Sequence, residues 1–347
     1  MTKTTPLYNN HLQHNARCID FAGYLMPVWF DSQKTEHLAV RQHAGMFDIS
    51  HMGLIEVSGL GCDDFMSLLS CNNIKNGLKE KMIYSMFLNE SGMILDDVMF
   101  GKLNNCWRLV VNGANTHKIL NWMNQHKPNN VTVKLLNDHD SFIAVQGPQA
   151  ISICSTIFNQ DLSNISPFGM RLTEFDSQEC LITRTGYTGE SGFEIKIPNT
   201  HVTQLWDKLR QHGVTPCGLA SRDSLRIEFG LPLYGQELSE HIHPFMTRYS
   251  WVVKFDHKFM GDQALTSLKQ TDHLVAVGLQ LQQSLIARPN YTIAQGGYIT
   301  SGTLSPLLNK SIALALIPKQ LAKIDSTVTV NIRSRQCEAS ITKVPFI

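Results

Sequence analysis

The apolar residues of this chain fall into short runs of strand length, at 53–59, 83–88, 97–103, 107–112, 141–146, 180–184, 192–197, 276–280, 311–316 and 326–332, with helical spacing between several of them. Such a pattern pairs strands into sheets and covers them with helices. Ile312-Ala-Leu-Ala-Leu-Ile317 is among the longer unbroken apolar runs, well short of the roughly 20 residues that cross a bilayer. The 347 residues are enough for two or three domains. With 43% hydrophobic and 17% charged residues the chain buries ordinary cores. No fixed-period repeat or low-complexity tract separates modules, so the domains pack directly on one another.

The order of elements sharpens the fold class. A short helical pattern at 36–43 precedes the 53–59 strand, and 63–70 has Phe65, Leu68 and Leu69 at core spacing. Strands 83–88 and 97–103 form a hairpin through Asn89-Glu-Ser-Gly92, strand 107–112 follows, and Asn115 is placed to cap a helix from Thr116 to about residue 125. These elements predict an α+β unit on an antiparallel sheet. A second α+β unit is read from strand 141–146, a helix after Pro148, strands 180–184 and 192–197, and a helix at 202–211. From Val275 onward, close-spaced strands with Gly and Pro turns predict a small β-barrel or roll.

Charge and cysteine usage exclude several classes. Lys+Arg total 30 against 29 Asp+Glu, a net charge of +1, so no general field draws nucleic acid or a membrane surface. The eight cysteines are scattered without a Cys-x-x-Cys pair, which predicts reduced, mostly buried thiols. The first ten residues resemble neither a signal peptide nor an Arg-rich transit sequence, and the expectation is a soluble cytoplasmic protein.

Standard motifs are mostly negative. Gly59-Leu-Gly61 follows a strand, but a third glycine is missing and Asp63-Asp64 repel a pyrophosphate, which favours a plain turn. There is no phosphate-cradling loop and no nucleophile elbow. His241-Ile-His243 lacks a third ligand of fitting spacing, so a polar loop is favoured over a metal site, and His51 reads on base rates as structural. Asp96-Asp97 sit at the foot of an apolar strand, after the Gly92 turn, where a carboxylate is either a water-facing turn acid or a group with a cationic or N–H partner. The segment 184–194 brings glycines around Tyr187 and Glu194, either a plain hairpin or a close approach to a flat ligand. Arg222 and Arg226, at i and i+4, either clamp a carboxylate or pair locally with Asp223 and Glu228. Leu233-Tyr-Gly-Gln-Glu237 is unremarkable alone.

Taken in order, these segments resemble the aminomethyltransferase family of the glycine cleavage system, the T proteins. The likeness runs through Thr5-Pro-Leu-Tyr8, Phe21-Ala-Gly23, Arg41-Gln-His-Ala-Gly-Met-Phe-Asp-Ile-Ser-His-Met52, Ile94-Leu-Asp-Asp97, Val110-Val-Asn112 and Val145-Gln-Gly-Pro148. It continues through Thr185-Gly-Tyr-Thr-Gly-Glu190 with Glu194, Ala220-Ser-Arg-Asp-Ser-Leu-Arg226, Leu233-Tyr-Gly235, Thr300-Ser-Gly-Thr-Leu-Ser-Pro306 and Val344-Pro-Phe346. No one segment is specific; the series is. The resemblance implies a three-domain cloverleaf around a central tetrahydrofolate cavity: a discontinuous α+β domain (1–47 plus 138–240), a ferredoxin-like α+β domain (48–137) and a C-terminal β-barrel domain (241–347). It implies a partner, the lipoylated H protein, whose aminomethyl group loses ammonia while its carbon passes to tetrahydrofolate as 5,10-methylenetetrahydrofolate, leaving the dihydrolipoyl carrier. By the same resemblance Asp97 is catalytic near the reacting nitrogens, Glu194, Tyr187 and Arg222 hold the pterin, and Met52, Val111 and Trp251 line its pocket, with no metal.

Departures lie toward the C-terminus, where Ala276 stands at a position often held by arginine in the family and the segment around Arg288 is compressed. Two other readings share the fold: a folate-binding accessory protein for iron–sulfur enzymes and a folate-dependent demethylase. The first typically has a cysteine in its Gly-Gln-Glu stretch, which Phe229 to Glu237 lacks; the flavin-fused demethylases need more chain than 347 residues allow.

Overall fold

The computed structural model describes residues 2–77 and 80–347, without the side chain of Asn76. Its contacts divide the chain into two compact units, one of residues 1–65, 74–84 and 98–223 and one of residues 66–73, 85–97 and 224–347.

In the first unit a six-stranded sheet runs in the order Met170–Phe175, Gln178–Thr183, Gly192–Pro198, Asp140–Gln146, Gly45–Asp48, Thr215–Pro216. All pairings are antiparallel except the last, in which 215–216 lies parallel to 45–46. Its cover is legible in the helix Val202–Gln211, where Val202, Leu205, Trp206 and Leu209 are all buried. That spacing gives one apolar stripe, and each such side chain contributes about 1.5–3 kcal/mol on burial. Ala150 and Cys154, from the helix Ala150–Ile157, complete this core with Ile143, Val145, Ile182, Phe193 and Ile195.

A five-stranded sheet has the order Ile83–Leu88, Ile94–Leu103, Cys106–Val111, Gly53–Gly59, Val131–Leu135. The first two strands are the expected hairpin. Asn89 Oδ1 accepts the N–H groups of Ser91 and Met93, both at 3.0 Å, and Gly92 takes φ +77°, the left-handed conformation that closes such a turn without steric cost. The second strand begins at Ile94, so Asp96 and Asp97 lie within it rather than at its foot. Alternation then separates the neighbours: Asp96 is fully buried, Asp97 partly so.

The second unit contains an antiparallel sheet in the order Tyr298–Ser305, Lys310–Pro318, Leu274–Leu281, Arg335–Thr342, Thr327–Ile332. The expected barrel is not closed by a ladder. Single bridges from Thr292 to Tyr298 and from Ile293 to Val330 link the two edge strands through one short segment, making an open roll. Lys310–Pro318 is buried from Ser311 to Ile317, which explains its unbroken apolar run: packing on both faces removes the usual alternation.

Other details differ from the sequence reading. Asn115 makes no side-chain cap on Thr116–His126 but ends a short 3₁₀ turn, Gly113–Asn115. A side-chain cap instead opens the helix Gln33–Gln42, where Ser32 Oγ accepts the N–H of Thr35 at 3.2 Å. The Gly59–Gly61 segment is a plain turn with both glycines at positive φ, and Asp63 is taken up by Lys102 Nζ at 2.7 Å and Trp107 Nε1 at 2.9 Å. All eight cysteines are free, six of them buried. No helix among the described residues is long and apolar enough to cross a membrane.

Candidate active site

Arg222 owes its position to a buried carboxylate. Glu36 accepts N–H groups from Phe30 at 2.6 Å, Asp31 at 3.1 Å and Gly218 at 2.8 Å, and the Ser221 hydroxyl at 3.1 Å. An anion bonded to the Gly218 amide, just before the helix Leu219–Phe229, and to the Ser221 hydroxyl in its first turn fixes the helix start and complements its dipole. Burial raises the pKa of Glu36, and these hydrogen bonds oppose the rise.

One turn into that helix, the Arg222 guanidinium lies 4.7 Å from the Tyr187 ring centroid and 6.0 Å from that of Phe47. The loop carrying Tyr187 is pinned on either side. Thr188 donates to Gln146 Oε1 at 2.9 Å, while Arg41 Nη1 bonds the Thr188 carbonyl at 2.7 Å and the Glu190 carboxylate at 2.9 Å. Glu194, in the strand Gly192–Pro198, accepts the Thr185 hydroxyl at 2.5 Å.

The charges in this cluster are coupled. Burial raises the Glu194 pKa while Thr185 and Arg222 hold it down, and burial lowers that of Arg222 against the support of Glu194 and Tyr187. His51 is buried and its pKa falls to about 4, through desolvation and then the Arg222 charge, opposed by Asp48. It is therefore neutral near pH 7, adjoining Met52 in the chain. Gly53, the residue after Met52, pairs with Val111 in the sheet, and a Cβ there would meet Val111 Cγ2 at 2.5 Å. Arg222 Nη1 is buried without a hydrogen-bond partner. Stacked guanidinium, orphaned donor and neighbouring carboxylate suit a flat heterocycle that presents both acceptors and donors along one edge.

Two expected site residues belong to the second unit. The partly buried Asp97 acts electrostatically on Tyr249, whose pKa is pushed up to about 12, by burial first, with Arg248 opposing and Asp97 and Glu237 adding to the rise. Trp251, in the turn Ser250–Val252, is 57% exposed.

Arg226 does not join Arg222 in a clamp. It is 2% exposed, bonding Glu237 at 2.7 Å, Ser301 Oγ at 2.6 Å and the Leu231 carbonyl at 3.2 Å. The stretch Leu233–Glu237 thus supplies a structural ion pair. His243 is also buried, with its ring centroid 5.0 Å from that of His273 and its pKa lowered to about 4 by burial and then by His273. Among the described residues no three His, Cys, Asp or Glu side chains converge to hold a metal. Tyr249, which the sequence reading did not single out, carried no motif signal; its nearness to Asp97 depends on folding.

The GCVT N-terminal domain matches residues 7–257 and the glycine cleavage T-protein C-terminal barrel domain matches 275–347, and the chain belongs to this family. Among its relatives, aminomethyltransferase of Caldanaerobacter subterraneus subsp. tengcongensis is 40% identical, covering 99% of this chain and 96% of its own. That of Staphylococcus epidermidis is 38% identical over 98% of this chain and 97% of its own. The crystal structure of glycine cleavage system aminomethyltransferase T from Bartonella henselae superposes with a TM-score of 0.93 at 31% identity, covering 100% of this chain and 98% of that one.

Proposed function

We propose that this protein is the aminomethyltransferase of glycine cleavage. It takes the aminomethyl group carried on the lipoyl arm of the H protein, releases its nitrogen as ammonia, and passes the carbon to tetrahydrofolate. The products are 5,10-methylenetetrahydrofolate and the dihydrolipoyl carrier. The observation that carries this reading is the end-to-end likeness to aminomethyltransferases of nearly equal length.

The residues fit a reduced folate. Tetrahydrofolate supplies the nucleophilic nitrogens that accept the carbon, and this chain supplies position and charge. In our reading Arg222 offers its unpartnered Nη1 to an acceptor on the pterin, Glu194 accepts from the pterin's donors, and Tyr187 keeps the guanidinium plane in place. Met52, Val111 and Trp251 provide apolar surface for the same substrate. Asp97 stabilises positive charge developing at the reacting nitrogens and takes up a proton there. Holding the reactants in line supplies much of the rate, since a well-oriented pair avoids the entropy of encounter. The cloverleaf of three domains, with the boundaries read from the sequence, belongs to the same proposal.

The test is methylenetetrahydrofolate formation from tetrahydrofolate and aminomethylated H protein, with Asp97→Asn and Arg222→Ala beside the parent. Turnover by the parent that collapses in Asp97→Asn is the expected result. Folate binding without turnover, using carrier proved competent with a known transferase, would instead assign the protein an accessory role.

A further inference from the structure

The Glu194 carboxylate is held by one of its two oxygens. Its Oε2 accepts the Thr185 hydroxyl at 2.5 Å, and among the described residues no group hydrogen-bonds its Oε1. Across the sheet Glu194 stands directly opposite Thr183 on one side and Ala144 on the other, and such direct pairs share a face. That row offers one hydroxyl and one methyl group. Thr183 bonds Thr185 rather than the carboxylate: its Oγ1 lies 2.7 Å from that of Thr185 and 3.3 Å from the Glu194 carbonyl. Because Thr185 gives its proton to an anion, it accepts from Thr183, and the two hydroxyls form a chain directed onto Glu194. Run in reverse, the chain ends on the 3.3 Å carbonyl contact, a weaker bond than the charge-assisted one.

The backbone of Thr185 is fixed as well. Buried Gln146 donates through Nε2 to the Thr185 carbonyl at 3.1 Å and accepts the Thr188 hydroxyl at 2.9 Å, bracketing Gly186 and Tyr187. A Cβ at position 186 would stand 1.8 Å from Gln146 Oε1, so glycine is what lets the amide enter. Thr185 thus presents its hydroxyl from an anchored residue. Arg222 supports the charge of Glu194 through space, which sets no direction for the carboxylate; the Thr185 bond does.

We infer that Thr185 is a positioning residue for substrate binding: its hydroxyl, backed by Thr183 and anchored through Gln146, ties down Glu194 Oε2 and leaves Oε1 for the donors of the reduced folate. The inference rests on the reading of Glu194 as the pterin's acceptor given above. A carboxylate free to turn must be ordered when the substrate arrives, whereas one already held loses less freedom and binds more tightly. The same bond favours the ionised form, which is the one that accepts.

Thr185→Val removes the hydroxyl at constant shape, and Thr185→Ser keeps it. In methylenetetrahydrofolate formation the Val variant is expected to raise the tetrahydrofolate KM about tenfold, with kcat and the KM for aminomethylated H protein unchanged, while Ser stays near the parent. Loss of the bond also removes a group that holds the Glu194 pKa down, so the acid limb of kcat/KM for folate moves to higher pH. The other groups that bear on Glu194 are Arg222 and, through Arg222, Tyr187 and His51. They are common to parent and variant, and His51 titrates at about 4, so the displacement reports Glu194. In a Glu194→Gln background Thr185→Val should add nothing further. Additive losses, an unchanged folate KM, or a rise in both KM values with an unmoved acid limb overturn the role. If the parent does not turn over, the transferase reading fails, and tetrahydrofolate binding measured by calorimetry decides instead. Affinity lost in Thr185→Val and kept in Thr185→Ser sustains the positioning role; undiminished affinity, or a parent that binds no folate, overturns it.

Discussion

Arg222 and Arg226 stand one turn apart on the same helix and have opposite environments. Around Arg226, Glu237 and Ser301 meet the guanidinium, and the side chain is almost wholly buried. Around Arg222 the surroundings are an aromatic face, a carboxylate that acts on it through space, and a buried Nη1 with no partner. The first arrangement has its charge answered within the protein; the second keeps donor capacity for something else. A buried charge that is fully paired fixes structure, whereas one held short of its hydrogen bonds is poised for a ligand.

The largest expected effect breaks the Arg226 side. Glu237→Ala leaves a buried guanidinium without its carboxylate and should cost about 4 kcal/mol of stability, read as a fall in the denaturant midpoint. Arg222→Met should cost under about 1 kcal/mol by the same measurement while removing turnover. Equal losses of stability would erase the distinction. Next in size, Asp97→Asn should lower kcat about 100-fold with an unchanged denaturant midpoint, showing that the unit holding Arg226 also contains a charge kept for chemistry.

A third prediction concerns a structural charge in the unit of Arg222. Asp48 is fully buried, and although burial raises its pKa, hydrogen bonds from His11 at 2.9 Å, Thr5 at 2.6 Å and Ser50 carry it down to about 2. A carboxylate whose folded pKa is depressed stabilises the protein above its unfolded value and loses that stabilisation as pH falls through the folded one. Asp48 therefore contributes about 2 kcal/mol near neutrality, lost between about pH 4 and pH 2. Unfolding followed against pH should show this acid limb in the parent, and Asp48→Asn should flatten it. The smallest effect sharpens the Arg222 side: Tyr187→Leu removes the stacked ring, worth about 1 kcal/mol, and should raise the tetrahydrofolate KM about fivefold with little change in kcat.

Much of the fold was legible because its signals are local. The helix Val202–Gln211 follows from four apolar residues on one face, and the 83–88 strand with its Asn89–Gly92 turn follows from an apolar run ended by turn formers. Asn115 misled for a local reason as well: residues 113–115 form their own 3₁₀ turn, which displaces the expected cap. The barrel expectation came from strand spacing, which does not register whether the edge strands pair along their length or meet through single bridges. For the site, Tyr187, Glu194 and Arg222 were marked by a glycine-rich stretch and a helical arginine pair, and Asp97 by an acid beside an apolar strand.

By itself the sequence determined the α+β class, the reduced cysteines, the apolar stripes and the residues through which the family likeness runs, because each is written in neighbouring side chains. Only the tertiary structure decided which arginine is answered and which is left open. The partners of Arg226 come from 11 and 75 residues along the chain, and the Glu36 carboxylate that anchors the start of Arg222's helix is 182 residues from Gly218. Burial and charge are set by groups brought together from such distances, and a residue's spacing along the chain does not carry that information.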